Sequence, residues 1–387
     1  MAGRNSLFAA ALAILAAMIS NPGRAADPQL YRNGLSSDPS FFPIGVWLQS
    51  PSRAPEYRAI GVNLFVGLWK GPTEAQLAEL AKYDMPVFAA QNETGLTSRH
   101  AGMIRGWLLK EDEPDNAQAR PDGSLGPCIP AEDVAAETMA IRRKDPTRPV
   151  MVGFGRGAAD PDWRGRGSCT GDRAYYAKAI AGADIIAFDI YPVASGYGRR
   201  LDYPSRGVER LRAAARPGQH IWAMIETTLI DSSESRVSPA DLRSEILLAL
   251  IRGADGLIYF AHEWTGGFRE DGLFRHAEIV TAVKDMNALL RRLAPVLNSP
   301  TIEGRISASG TIAAATMLKE HDGAFYLFAG STDARAGALT IGLDGVASGP
   351  VEVIGEDRKI PLAKGVLRDS FLGYEVHIYR IPKVGAP

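Results

Sequence analysis

The chain has 387 residues, 46% of them apolar, with 43 basic against 44 acidic side chains. That is enough for a large core plus a smaller second unit, and the near-neutral charge argues against a nucleic-acid surface. Two cysteines and scattered histidines do not make a zinc site, and no G-x-G-x-x-G joins a strand to a helix, so neither a metal nor a nucleotide cofactor is expected.

The N-terminus begins with Arg4, continues as an apolar run from Leu7 to Ile19 and ends in Asn21-Pro22-Gly23-Arg24-Ala25. This is the three-part form of a secretory signal peptide spanning residues 1–25, cleaved after Ala25. The apolar run is short for a bilayer span, so an exported product, periplasmic or secreted, without stable membrane insertion is expected. In an exported chain Cys128 and Cys169, both in Gly- and Pro-rich loops, are expected to form a disulfide.

After the leader, Phe41–Trp47 reads as a first buried strand and the segment Ala59–Trp69 holds a second. Thr73 and Gln76 form a capping box for a helix to about Tyr83, and Met85–Ala89 is a third strand. Ile104–Leu109 is the fourth strand, Ala131–Arg143 a helix and Val150–Phe154 the fifth strand. Asp172–Ala181 reads as helix, Asp184–Ile190 as the sixth strand, Arg206–Ala215 as helix and His220–Ile225 as the seventh strand. Ser238 caps a helix that begins with Pro239; Gly256–Phe260 is the eighth strand, followed by a helix over Glu278–Val296.

Eight buried strands alternating with helices predict an α/β fold, a (β/α)8 TIM barrel over residues 26–298, and disfavour an open doubly wound sheet. From about Thr301 the period changes to short alternating strands at Ala324–Phe328, Leu339–Ile341, Val351–Ile354 and Tyr374–Ile381. That predicts a small C-terminal antiparallel β-sandwich over residues 299–387, which is not expected to carry chemistry.

Functional groups of such a barrel lie where its strands end. Those ends hold Trp47, Trp69, Asn92, the run Glu111-Asp112-Glu113-Pro114, Asp189, Tyr191, Glu226, His262, Glu263 and Trp264. Flat aromatic faces beside amide and carboxylate edges suit a pyranose ring, whose C–H face is apolar and whose rim is hydroxyl, so the expected partner is a carbohydrate. Among neighbouring acids, Glu113 is expected to hold a proton more tightly. Glu226, followed by Thr227 and Thr228, is expected to sit uncrowded and ionised. Two carboxylates pushed apart in this way fit a glycosidase acid and nucleophile.

On Asp112-Glu113-Pro114 and Glu226 the chain resembles the clan A glycoside hydrolases. In that family an acid/base glutamate ends the fourth barrel strand, usually in Asn-Glu-Pro, and a nucleophilic glutamate ends the seventh. The resemblance implies a retaining double displacement with Glu113 as acid/base and Glu226 as nucleophile, and places Asp112 where the family has asparagine. An ionised Asp only accepts hydrogen bonds. That departure keeps two alternatives open: a non-catalytic carbohydrate-binding barrel, and an inverting glycosidase that pairs Glu113 with Asp112 or Glu263. Arg156, Arg164, Arg166, Arg173, Arg199 and Arg200 also raise the option of an acidic saccharide, although a solvated face is the plainer reading.

Overall fold

The computed structural model describes residues 31–110, 112–160, 162, 172–195, 198–230 and 235–383. The expected leader, Glu111, Arg164, Arg166 and Cys169 lie outside these residues. Eight parallel strands close a barrel in sequence order: β1 (Ile44–Trp47), β2 (Leu64–Val66), β3 (Val87–Ala90), β4 (Ile104–Leu108), β5 (Val150–Phe154), β6 (Ile185–Phe188), β7 (His220–Glu226) and β8 (Gly256–Phe260). The intervening helices are α1 (Ala54–Ala59), α2 (Glu74–Lys82), α3 (Glu93–Thr97), α4 (Ala131–Lys144), α5 (Arg173–Ala179), α6 (Tyr203–Ala214), α7 (Pro239–Ile251) and α8 (Ala277–Leu297). The TIM barrel predicted from the sequence is therefore present.

Local chemistry explains the boundaries. Thr73 and Gln76 make a reciprocal capping box at the start of α2, and Ser238 makes one with Asp241 at α7, with Pro239 in the first turn. The strands are dominated by β-branched and aromatic residues that alternate between two buried faces. Leu64, Val66, Phe88, Met151, Ile185, Ala187, Trp222, Met224, Ile258 and Phe260 fill the barrel. Ile44, Val46, Val87, Val152, Ile221, Ala223, Leu257 and Tyr259 instead join the larger core that includes the surrounding helices.

The barrel is packed by pairing large side chains with glycines. Phe88 and Trp222 stack with centroids 5.6 Å apart and planes 19° from parallel. A Cβ at Gly106 would lie 2.6 Å from the Phe88 ring, and one at Gly256 2.6 Å from Trp222. Either glycine substituted by alanine would therefore force the stack apart, a typical cost of overpacking of about 1–3 kcal/mol. The stack plugs the barrel below its C-terminal mouth.

Beyond α8 the chain forms two antiparallel sheets. One has the order β10 (Ala314–His321), β11 (Ala324–Ser331), β16 (Val376–Pro382), β13 (Gly349–Val353) and β14 (Arg358–Leu362). The other has β15 (Val366–Phe371), β12 (Gly337–Leu343) and β9 (Ile306–Gly310). Leu327, Val351 and Ile381 of the first pack with Leu339, Ile341 and Leu367 of the second. The outer face of the larger sheet contributes Met317, Phe328, Val376 and Ile378 to the barrel's core. This explains why α7 is buried over nearly its whole circumference: it lies between barrel and sheet, and its last six residues, Ile246 to Ile251, are all apolar. Lys319 secures the junction, its buried ammonium donating to Leu297 O at 2.9 Å and Ser299 O at 2.6 Å.

Candidate active site

The D-E-P-D-N stretch after β4 is held in one conformation by contacts at several positions. Glu113 has φ of 48°, a left-handed conformation that costs a non-glycine residue of order 1–2 kcal/mol. Its surroundings impose it: Asn116 N donates to Glu113 O at 2.9 Å and Gln118 Nε2 at 3.1 Å, and Asn116 Nδ2 donates to Glu113 Oε2. Strain retained at a carboxylate is a functional signature when it is observed rather than inferred. Asp115 is buried and bridges to β5, accepting from Gly155 N at 2.8 Å and from the Tyr176 hydroxyl at 2.9 Å. Burial pushes its pKa up to about 6, against those hydrogen bonds and with a smaller contribution from Glu113. Gly155 gives these side chains room: a Cβ would stand 3.2 Å from Glu113 Cδ and 3.1 Å from Asn116 Nδ2, so both would have to shift by a few tenths of an ångström.

On the other side of the β5 end from this loop stands Asp189, immediately after β6, its N donating to Phe154 O at 3.0 Å. It is half-buried, and its Oδ1 is enclosed with no hydrogen-bond partner among the described residues. Burial raises its proton affinity most, the charges of Glu113 and then Asp112 raise it further, and Arg156 and a hydrogen bond from Tyr191 partly offset them. Asp112 is exposed, and its Oδ1 lies 3.6 Å from where a Cβ on Gly153 would stand. The structure thus brings Asp112, Glu113 and Asp189 together. Beside Asp189, Tyr191 is buried and its hydroxyl donates to Met224 Sδ at 3.0 Å.

From Tyr191 an aromatic wall runs toward the end of β8. Tyr191 and Phe260 have centroids 4.8 Å apart; Phe260 stacks on Trp264 at 5.8 Å; His262 meets Trp264 at 5.9 Å and Phe268 at 5.4 Å. Trp264 is 46% exposed, Phe268 60% and Trp69, after β2, 68%. Exposed aromatics beside clustered acids are the combination a sugar face and rim require. Trp47, at the end of β1, is half-buried against the barrel interior. His262 is buried within the wall, its Nε2 is 3.2 Å from Leu48 O, and burial lowers its pKa.

One expectation is corrected here, and two further expected site residues hold other partners. Glu226 was expected to be uncrowded among hydroxyls; instead its carboxylate is wholly buried and accepts from Val193 N at 2.8 Å and Ala194 N at 2.6 Å. The charges nearest it belong to Glu245 and Asp241 of α7, and burial pushes its pKa up to about 7. Thr227 and Thr228 turn their hydroxyls to the carbonyls of Phe260 and His262, not to Glu226. Asn92, expected to bind substrate, is the N-cap of α3: its Oδ1 accepts from Gly95 N at 2.8 Å and its Nδ2 donates to Pro72 O at 2.9 Å. Glu263, expected at the mouth, is 2% exposed and pairs with Arg275 at 2.7 Å and His276 at 2.5 Å. Both its oxygens are thus engaged.

Sequence reasoning missed Asp115, Asn116, Phe268 and Glu245. Asp115 and Asn116 directly follow the Glu111-Asp112-Glu113-Pro114 run, and the aromatic at the end of W-T-G-G-F was a readable signal. Glu245 carried no signal, since an acid in an apolar helix becomes informative only when its neighbour is known. Of the arginines considered for an acidic saccharide, Arg199 pairs with Asp241, while Arg200 pairs with Asp202 at 3.1 Å and lies 4.7 Å from the Tyr203 ring centre. Among the described residues no group of three His, Cys, Asp or Glu is arranged to hold a metal ion, and no helix is long and apolar enough to cross a membrane.

Solved structures share the architecture at low identity. A putative alpha-galactosidase from Bacteroides fragilis NCTC 9343 superposes with a TM-score of 0.54 at 10% identity, covering 89% of this chain and 80% of that one. The alpha-amylase of Geobacillus thermoleovorans, complexed with acarbose, gives 0.51 at 10% identity over 89% and 99% of the two chains. The maltogenic alpha-amylase AmyB of Thermotoga neapolitana gives 0.51 at 10% identity over 88% and 98%. No family model matches the chain, and no curated protein matches it in sequence. At such identity the likeness is one of fold.

Proposed function

We propose that this chain is a glycoside hydrolase acting on an oligo- or polysaccharide at the open end of its barrel. The observation that carries this reading is the carboxyl cluster Asp112, Glu113 and Asp189 at the strand ends, facing an aromatic wall with exposed Trp264 and Phe268. Glycosidic cleavage needs one carboxyl to protonate the leaving oxygen and a second to act at the anomeric carbon or on water. Glu113 is proposed as one of the two. Sequence position alone points to Glu226 as the other, in a retaining mechanism with Glu113 as acid/base, a role that its complete burial and its two backbone amide partners speak against. Proposed neighbours with related folds named as an alpha-galactosidase and alpha-amylases support the general reading.

The test is a screen of aryl glycosides and polysaccharides with wild type and Glu113→Gln, with the product anomer followed by proton NMR. Turnover by wild type that the variant loses supports hydrolysis, and the first-formed anomer distinguishes retention from inversion. A second reading, a carbohydrate-binding barrel without turnover, is favoured by one observation: Glu226 is wholly buried where the family pattern needs a reacting group. Calorimetric sugar binding with no cleavage of any substrate would establish that reading instead.

Export and a Cys128–Cys169 disulfide are also proposed. Purified periplasm or medium should contain a chain beginning near Ala26, and unreduced intact mass should be two hydrogens below the reduced value. Full maleimide labelling of both thiols in the unreduced, unfolded chain would rule the disulfide out.

A further inference from the structure

Glu226 and Asp189 both follow barrel strands, yet their surroundings suit opposite tasks. Glu226 has no access to the mouth: its two oxygens take the amides of Val193 and Ala194, and Glu245 of α7 lies against it. Both Glu245 oxygens are enclosed with no partner among the described residues other than this neighbouring carboxyl. The remaining charges near the pair are Asp241 of α7 and Arg199 of the chain after β6, which are ion-paired with each other. Two enclosed carboxyls in contact cannot both be ionised cheaply, and a proton shared between them supplies the donor that Glu245 otherwise lacks. Glu226 therefore tethers the segment immediately following Tyr191 to α7.

Asp189 has the complementary description. Its Oδ1 is enclosed and has no hydrogen-bond partner among the described residues, and it shares the mouth with Glu113, Asp112 and Tyr191, whose hydroxyl is the one neighbour that relieves it beside Arg156. A buried unmet acceptor costs about 1–3 kcal/mol, so its retention calls for an explanation that a ligand hydroxyl would supply.

We propose that Asp189 is the second reacting carboxyl of this site, the partner of Glu113, and that Glu226 with Glu245 positions the segment that follows it. The inference rests on the glycosidase reading above. One member of the Glu113–Asp189 pair gives its proton to the leaving oxygen as the C–O bond breaks. The other bonds to the anomeric carbon or accepts a proton from the attacking water. The water oxygen ends on that carbon, and one water proton returns to the pair, so the chain is restored. Tyr191, buried between Asp189 and Phe260, fixes the distance from the acids to the aromatic wall.

The full-length protein and a substrate found by the screen provide the test, with Asp189→Asn, Glu226→Gln and Glu226→Ala assayed side by side. Asp189→Asn should lose about 10³-fold in kcat, within the 10²–10⁴ range of proton-transfer groups, with its melting temperature held. Glu226→Gln, whose amide keeps an acceptor for the loop and a donor for Glu245, should keep kcat within about tenfold. Glu226→Ala should lower the melting temperature and raise KM, and azide or formate should not restore its turnover. Near-normal turnover by Asp189→Asn would overturn the proposal. So would Glu226→Ala activity restored by azide with a product of inverted configuration, because that identifies Glu226 as the nucleophile. Wild type that cleaves nothing would sink the glycosidase reading itself, an outcome distinct from both.

Discussion

Carboxylates at the barrel mouth and those in the C-terminal sheets live under opposite conditions. In the sheets, Asp369 receives Arg358 through two bonds of 3.1 and 2.8 Å and the Tyr379 hydroxyl at 2.9 Å, while Glu356 takes Arg358 Nε at 2.8 Å and faces His377. Burial alone would raise the Asp369 pKa, but Arg358 and Tyr379 overcome it and hold the group below the usual carboxylate range. At the mouth, burial and the like charges of Glu113 and Asp112 act on Asp189 in the same direction, Arg156 and Tyr191 offset them only in part, and Oδ1 has no partner among the described residues. Satisfied charge holds a structure together, whereas unsatisfied charge beside exposed aromatics is available to a ligand.

The sharpest way to break this contrast is at Glu113. Glu113→Gln should reduce kcat by about 10³-fold, some 4 kcal/mol of transition-state stabilisation, without changing the unfolding midpoint appreciably. A fall in stability with turnover per folded molecule intact would place Glu113 with the structural acids.

The buried pair at Glu226 and Glu245 predicts a pH effect of the next size. Burial raises the Glu226 pKa from an ordinary 4.5 to about 7, and raises that of Glu245 as well. The folded state therefore binds protons that the unfolded chain releases above its own pKa. Stability from this pair is fully present below about pH 4.5 and is lost as pH rises through about 7, by up to about 3 kcal/mol for Glu226. Glu245→Gln, which offers Glu226 a permanent donor, should flatten melting temperature between those pH values. An unchanged slope would mean that the pair holds no shared proton.

Asp369→Ala attacks the other side of the comparison. It leaves Arg358 with one acid instead of two and should cost about 2 kcal/mol in urea unfolding, less than a fully buried pair because Arg358 is partly exposed. Turnover of the folded fraction should stay within a few-fold; its disappearance would bring the C-terminal sheets into the reaction. The smallest effect is expected at Trp264→Ala, where loss of an exposed stacking face should raise KM about tenfold, near 1.4 kcal/mol, and leave kcat close to wild type. A kcat effect exceeding the KM effect would show that the wall acts in the transition state.

The sequence by itself determined what local chemistry controls. Capping boxes at Thr73–Gln76 and Ser238–Asp241, Pro239 in a first turn and eight buried runs are readable because hydrogen bonds within a few residues and side-chain period decide them. They were sufficient for the barrel, for the antiparallel sheets after it and for the position of Glu113 at the end of β4. Tertiary structure alone decided what each strand-end polar group faces. Asn92 reads equally well as a ligand or a cap until Gly95 and Pro72 are seen on its two polar atoms. Glu263 resembles Glu113 as text and differs only because Arg275 and His276 return to cover it. Glu226 continues the row of Trp222 and Met224, but the chain after β6 folds across it and α7 closes behind, so burial and neighbouring charge reverse the ionisation its own flanking residues imply. Period and capping act over a few residues along the chain; desolvation and Coulomb interactions act through space, and Glu245 and the Val193 and Ala194 amides are 19 and 32 or more residues away from the carboxylate whose state they set.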